Sequence, residues 1–453
     1  MSSKTNIIDP KTGKYFLATF GCQMNEYDSN MIGSMLENRG MSMTENADQA
    51  DVLIVNTCSI RGGAEDRAYA RIASMKHYKK MRPEVRIAVI GCMAQNHGEK
   101  IPTALEHVDY VVGPDNYRDL ESLIFSESTP RQGSGTEVRK VWTEQNDFEN
   151  YEGLMARLDG SVSAHITIMR GCNKQCAYCI VPNVRGVERS RDLESIVAEV
   201  RHAVSEGIHE VCLLGQTVNS YRTEAGNFAA LLRKLETVDG LRRIRFMSPH
   251  PRHFDTELIT AMAECSKVCN QVHLPLQSGS NSMLKKMRRQ YTRERYIEIV
   301  SELRAAIPNL AITTDIISGF VGETEQDFED TLSLMREVRF DYSFMFSYSP
   351  REGTPAFSEP ETLSPQGKQA RHERVMELQM QHTEERLDAM LGRREEILIE
   401  DRSSRDANEW MGKTRCFKKV IVPHAPGIAK GSFVETRITE RRGLVLRGEY
   451  LNA

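Results

Sequence analysis

Nowhere in its 453 residues does this chain hold an apolar run approaching the roughly 18 residues that a membrane span requires. The opening Met1-Ser-Ser-Lys-Thr-Asn has no apolar segment of the kind that leads a secreted chain, so no export is expected. Charge of one sign is also lacking. The 59 Lys and Arg are met by 63 Asp and Glu, a net −4, which excludes a uniformly basic coat for nucleic acid and leaves room only for a local patch. Ten cysteines without a leader read as metal ligands and buried thiols rather than disulfides, and a reducing cytoplasm is the expected compartment. What remains is an ordinary globular composition, 40% hydrophobic and 27% charged, in a chain long enough for two or three domains.

A further absence is more informative. In Arg170-Gly-Cys-Asn-Lys-Gln-Cys-Ala-Tyr-Cys179 three cysteines stand as Cys-x3-Cys-x2-Cys, and no fourth follows nearby. A closed cubic iron–sulfur cluster normally takes four thiolates. Three leave one iron open to bind something else, much as a catalytic metal keeps a vacant position. A zinc knuckle would need a nearby fourth ligand, which the flanking residues do not obviously supply.

Before this motif, apolar runs alternate with helical patterns. Tyr15–Thr19 leads to Gly21-Cys22, Asp51–Val55 to Asn56-Thr-Cys58 and Arg86–Ile90 to Gly91-Cys92, with Tyr110–Val112 as a fourth strand. The pattern predicts a doubly wound parallel sheet over residues 13–128. Cys22, Cys58 and Cys92 each sit just past a strand's carboxyl end, where such sheets build their sites. Spaced by 36 and 34 residues, about one βα unit each, they should converge in space. Unrelated, inert strand-end thiols are the competing reading.

Residues 129–157, including the Gly/Ser-containing run Arg131–Thr136, read as a connecting segment. Over 158–390 a second alternation places strands at 165–169, 210–214, 242–246, 270–274, 311–316 and 341–346, a partial (β/α)6 barrel followed by a charged helix near 364–393. The Cys-x3-Cys-x2-Cys motif directly follows the first of these strands. Over 393–453, short Gly- and Pro-punctuated alternating runs predict a small β-barrel. That segment has 13 Lys and Arg against 9 Asp and Glu, a local +4 that leaves −8 elsewhere. With Trp410 and Phe417 it offers a platform for nucleic acid, or simply a solvated β surface. Cys212, Cys265, Cys269 and Cys416 are expected to be packing thiols.

The triad spacing, with Tyr178 before its last cysteine, resembles the signature of the radical S-adenosylmethionine (SAM) enzymes. Over nearly the whole chain the sequence is similar to the methylthiotransferases of that superfamily. Their amino-terminal cysteine contexts correspond here to Thr19-Phe-Gly-Cys-Gln-Met-Asn25, Asn56-Thr-Cys58 and Gly91-Cys-Met-Ala-Gln95, and their last domain is a TRAM barrel. Further support comes from Val184-Arg-Gly-Val-Glu-Arg-Ser-Arg191, Leu213-Leu-Gly-Gln-Thr-Val-Asn219 and His273-Leu-Pro-Leu-Gln-Ser-Gly279. Pro249 before His250-Pro251, and Glu352, depart from the family pattern without touching a cysteine.

The resemblance implies two 4Fe-4S clusters, one on Cys172, Cys176 and Cys179 and an auxiliary one on Cys22, Cys58 and Cys92. It further implies S-adenosylmethionine as both methyl donor and radical source, with Tyr178, Gly215, Gln216, Asn219, Gly319 and Gly322 around it. Both clusters would serve one cavity. The implied substrate is the anticodon stem-loop of a tRNA carrying a prenylated adenosine, methylthiolated at C2, with Arg185 and Arg191 as candidate contacts to substrate phosphates or to the cofactor carboxylate. A flavodoxin- or ferredoxin-type protein would supply electrons, and no membrane is involved. Sister enzymes of the same chemistry act on threonylcarbamoyl-adenosine or on a ribosomal-protein aspartate. The alternative of another class is an electron-transfer iron–sulfur protein with an RNA-binding tail, which would need closed four-cysteine clusters.

Overall fold

The computed structural model describes residues 8, 9, 11–59, 62–126, 140–158 and 160–451, so the run 131–136 lies outside the described residues. The chain divides into two compact units. The first runs to Leu158 and also takes in Met169–Lys174 and Cys179–Arg191; the second comprises Asp159–Ile168, Gln175–Tyr178 and everything from Asp192 onward.

In the first unit six strands form one parallel sheet: β1 (Lys14–Thr19), β2 (Ser42–Met43), β3 (Val52–Thr57), β4 (Arg86–Gly91), β5 (Tyr110–Val112) and β6 (Val141–Trp142). Their order is β2-β1-β3-β4-β5-β6. β3 is buried along its whole length, as expected for a strand covered on both faces. Leu53, Val55, Ile87, Val89 and Val111 fill one side of the core. The sequence pattern located four of these strands. It missed β2 and β6, because each is only two residues long and therefore shows no period. β6 falls within the segment read as a connector; Trp142 is buried and pairs with Val112.

The second unit holds six strands at the expected places, in two parallel three-stranded sheets. Ser163–Thr167, Glu210–Leu214 and Arg243–Phe246 make one; Gln271–His273, Ala311–Ser318 and Tyr342–Ser347 make the other. A parallel bridge from Ile244 to Val268 lies between them, giving the open six-strand arrangement of a partial barrel. The long helix spans Pro365–Asp388, started by the Ser364 hydroxyl accepting from the Gly367 N–H at 3.1 Å. A closed five-stranded barrel follows: Arg394–Arg402, Glu409–Thr414, Lys419–Pro423, Phe433–Arg442 and Val445–Tyr450. Glu409–Thr414 was not anticipated, since its polar residues hide the alternation. It buries Trp410 under the Arg402 guanidinium, 3.7 Å from the ring, so this aromatic is not a surface platform. Phe417 stays 46% exposed with Lys413 4.4 Å from its ring centre.

One carboxylate fastens the loops of the second half-barrel. Asp327 caps the helix Glu325–Val338 and accepts from the hydroxyls of Ser280 (2.6 Å), Thr324 (2.6 Å) and Ser282. Burial alone would raise its pKa, but those hydroxyls and the Thr324 N–H hold it down to about 2. The unfolded value is roughly 3.9, so this contribution is complete above about pH 4 and disappears as pH falls through about 2. Asp327→Ala is expected to cost about 1.5–3 kcal/mol at pH 7. In urea unfolding the gap to the unaltered protein narrows as the pH is lowered from 5; a gap independent of pH contradicts this assignment.

Candidate functional site

Strand order sets where the amino-terminal site lies. In a 2-1-3-4-5 sheet the chain reverses direction of growth between β1 and β3, and the crevice beyond the carboxyl ends at that point is the usual binding place. Cys22 follows β1 and Cys58 follows β3. A Cβ placed on Gly21 would lie 2.8 Å from that of Cys58, so the two loops touch. Cys92, after β4, opens the short helix Cys92–His97. Burial pushes its thiol up to about 12; the Arg185 guanidinium pulls it down, while Cys58 and Cys22 push it further up. The three thiols are therefore within electrostatic reach of one another. Cys58 and Cys92 are buried and Cys22 is partly open.

Around them is a buried polar network. The Asn25 amide donates to the carbonyls of Phe20 and Thr57, both at 2.9 Å, tying the loops after β1 and β3 together. Asn56 donates to the Asn25 carbonyl at 2.9 Å. Arg185, 3% exposed, donates Nε to Cys92 Sγ at 3.2 Å and Nη2 to Asn25 Oδ1 at 3.0 Å, and pairs with buried Asp28 at 2.8 Å. Its Nη1 is buried without a hydrogen-bond partner. Arg191 is likewise buried, 3.4 Å from the Tyr27 hydroxyl. Both arginines, expected to meet substrate phosphates or the cofactor carboxylate, are buried and bond to residues of their own unit. Their burial is unusual, because charged side chains mostly remain in water.

Of the second triad, Cys172 and Cys179 belong to the first unit and Cys176 to the second. In the first, Met169–Arg170 pairs with Arg189–Ser190, and the Cys172 N–H donates to the Gly186 carbonyl at 3.0 Å. Gly171, with φ +74°, is obligatory here, since a Cβ would come within 1.8 Å of the Val187 carbonyl oxygen. Arg170 and Arg189 both bond Asp115, at 2.8 and 3.1 Å, which clamps the hairpin leading into Cys172. Cys179 precedes the helix Val181–Arg185. In the second unit Cys176 is buried, its sulfur accepting from Arg289 Nη1 at 3.4 Å. Ala177 is sewn to Met287 and Ala356 by backbone hydrogen bonds of 3.0 and 2.9 Å, and the Tyr178 ring meets Phe320 edge-on.

The remaining expected residues line strand ends of the second unit. Gly215 and Gln216 follow the strand Glu210–Leu214, and Gln216 Oε1 is buried with no donor facing it. Asn219 exchanges hydrogen bonds with the His250 backbone at 2.8 and 3.0 Å, so its amide positions a loop rather than standing open to a ligand. Gly319 and Gly322 both have positive φ, with Lys368 and Lys286 side chains beside their α-carbons. The Gly319 N–H donates to buried Glu323 at 2.8 Å, which Arg371 holds at 2.6 Å. Cys212, Cys265, Cys269 and Cys416 are buried; burial pushes Cys212 up to about 12 and Cys265 to about 11, as in inert packing thiols.

Asn25 and Asp28 could have been found, being one helical turn apart and just after Cys22. Arg289 could not: nothing in Arg288-Arg289-Gln290 marks one arginine as buried.

Among the described residues no three His, Cys, Asp or Glu side chains gather closely enough to hold a single metal ion. A cubic cluster asks instead for one thiolate at each of three separate irons. All six cysteines are free of disulfides. Nor, among the described residues, is any helix long and apolar enough to cross a membrane.

Residues 166–335 match the radical SAM superfamily, residues 14–113 the uncharacterized protein family UPF0004, and residues 388–451 the TRAM domain. The fold agrees with that class. The chain aligns at a TM-score of 0.59 and 14% identity with the radical S-adenosylmethionine methyltransferase TsrM from Kitasatospora setae, covering 76% of this chain and 74% of that one. Curated sequences are much nearer. The tRNA-2-methylthio-N(6)-dimethylallyladenosine synthase of Clostridium novyi (strain NT) is 42% identical over 97% of this chain and 96% of its own length. That of Alkaliphilus oremlandii (strain OhILAs) is 43% identical over 97% and 93%. The chain belongs to this family of radical SAM methylthiotransferases.

Proposed function

We propose that the protein converts N6-dimethylallyladenosine beside a tRNA anticodon to its 2-methylthio derivative. In this reading Cys172, Cys176 and Cys179 hold one 4Fe-4S cluster, and Cys22, Cys58 and Cys92 hold a second. The observation that carries the reading is the convergence of Cys22, Cys58 and Cys92 at the switch point of the sheet, in a chain that also bears a radical SAM triad. When bound, the clusters and S-adenosylmethionine supply a 5′-deoxyadenosyl radical and a transferable sulfur, which no side chain could provide at an unactivated adenine C–H.

The chain's own residues position and shield. Gly171 and the Asp115 clamp hold the hairpin that presents Cys172. Gln216 Oε1 offers a buried acceptor to the cofactor's amino group, and Asn219 fixes the adjoining loop against His250. Ten free thiols suit a reducing cytoplasm, where a flavodoxin- or ferredoxin-type donor would supply electrons. The barrel at 394–450, with exposed Phe417 between cations, gives tRNA a stacking and phosphate surface.

The prenyl group also finds a place. On the second half-barrel, Thr313, Asp315 and Ile317 pair with Tyr342, Phe344 and Phe346 and share one face. Tyr342 and Phe344 are 41% and 38% exposed, although Ile312, Thr314 and Ile316 on the opposite face are buried. Phe344 touches His273, which bonds Thr313 at 3.0 Å and pairs with Asp315 at 3.3 Å. An aromatic wall beside a polar pair matches an alkylated adenine.

Cys176→Ala is expected to reduce 5′-deoxyadenosine formation to background and leave 2-methylthio nucleosides undetectable in tRNA digests. Persistence of either product contradicts the assignment. Phe344→Ala should raise KM for the prenylated stem-loop by about tenfold, the value of one or two buried methyls. It should leave binding of an unprenylated stem-loop unchanged; equal losses for both would remove Phe344 from the alkyl site.

A further inference from the structure

In each triad a buried arginine donates to a sulfur, and the two arginines differ in whether a carboxylate pairs with them. Arg185 reaches Cys92 Sγ at 3.2 Å and Arg289 reaches Cys176 Sγ at 3.4 Å. The Arg185 charge is cancelled: the Asp28 carboxylate lies 2.8 Å away, and both groups are almost fully buried. The Arg289 charge is not. Its other partners are the Tyr291 hydroxyl at 3.1 Å and the Pro275 carbonyl at 3.2 Å, and among the described residues no carboxylate lies within ion-pair distance of it. The hairpin entering Cys172 leans the same way, since Arg170 and Arg189 share the one carboxylate of Asp115.

A cluster that accepts an electron gains a unit of negative charge inside a low-dielectric site. Net charge and hydrogen bonds to sulfur are the levers that set its potential. An uncompensated guanidinium stabilises the reduced form by direct attraction, whereas a neutral Arg–Asp pair supplies its hydrogen bond and little else. We propose, resting on the two-cluster reading above, that Arg289 and the Arg185–Asp28 pair order the clusters electrochemically. The cluster on Cys172, Cys176 and Cys179 takes the electron first, and that on Cys22, Cys58 and Cys92 stays oxidised as the sulfur carrier.

The step is one electron from a low-potential one-electron donor protein to one cluster; no bond is made or broken and no proton moves. The ordering would keep reducing equivalents away from the sulfur to be transferred. Arg289 and Arg185 act here as positioning residues, through the sulfurs they contact.

The test is potentiometry with electron paramagnetic resonance on the anaerobically reconstituted full-length protein. It is repeated on full-length variants in which either triad is replaced by alanine, so that each signal is assigned. The expected result is a higher potential for the Cys172/Cys176/Cys179 cluster. Arg289→Met lowers that potential by at least a tenfold change in the reduced-to-oxidised ratio, 59 mV for one electron. Asp28→Asn, which frees the Arg185 charge, raises the other cluster's potential by a similar factor. Should Arg289→Met fail to take up iron, Asp28→Asn decides alone. Two clusters of equal or reversed order, or an Asp28→Asn cluster whose potential is unmoved or lower, overturn the inference. Reconstitution with only one cluster would instead overturn the two-cluster reading beneath it.

Discussion

Parallel pairing of β1, β3 and β4 is the constraint on which the amino-terminal site depends. Because the three strands run the same way, their carboxyl ends share one edge of the sheet. Three cysteines spread over seventy-one residues of sequence thereby arrive at one place. Holding thiolates together here is unfavourable in itself, since burial and the neighbours Cys58 and Cys22 push the Cys92 thiol up. The local network offsets this cost. Asn25 bridges the loops after β1 and β3 through two carbonyls, and Arg185 brings a guanidinium to Cys92.

Buried arginine recurs as the means by which this fold fixes its loops. Arg170 and Arg189 converge on Asp115, Arg185 on Asp28, and Arg371 on Glu323. Arg243 is fully buried and reaches Glu396 of the terminal barrel at 3.0 Å, which holds that barrel against the strand Arg243–Phe246 within the second unit. Removing one partner from such a pair strands a charge away from water, typically at several kcal/mol.

Strongly periodic features were legible in the sequence. The six strands of the partial barrel, the helix from Pro365 and the strand-end positions of Cys22, Cys58 and Cys92 all follow from apolar alternation and helical period. Short or polar elements were not. Val141–Trp142 is too brief to show a period, and Glu409–Thr414 has Gly412 and Thr414 at buried positions where an apolar pattern would be sought. Arginine burial was invisible for a physical reason: a guanidinium goes inside only when a carboxylate, sulfur or carbonyl from elsewhere in the chain meets it. The burial of Arg185 and Arg191 therefore could not be read locally, since their partners Asp28, Cys92 and Tyr27 lie over ninety residues earlier.

The central claim is that six cysteines hold two cubic clusters, and iron content read with Mössbauer spectroscopy tests it most directly. Anaerobically reconstituted protein is expected to bind about eight irons in two 4Fe-4S centres. Replacing Cys22, Cys58 and Cys92 together by alanine should leave about four. A protein that holds no more than four irons before that change, or loses none after it, would contradict the account.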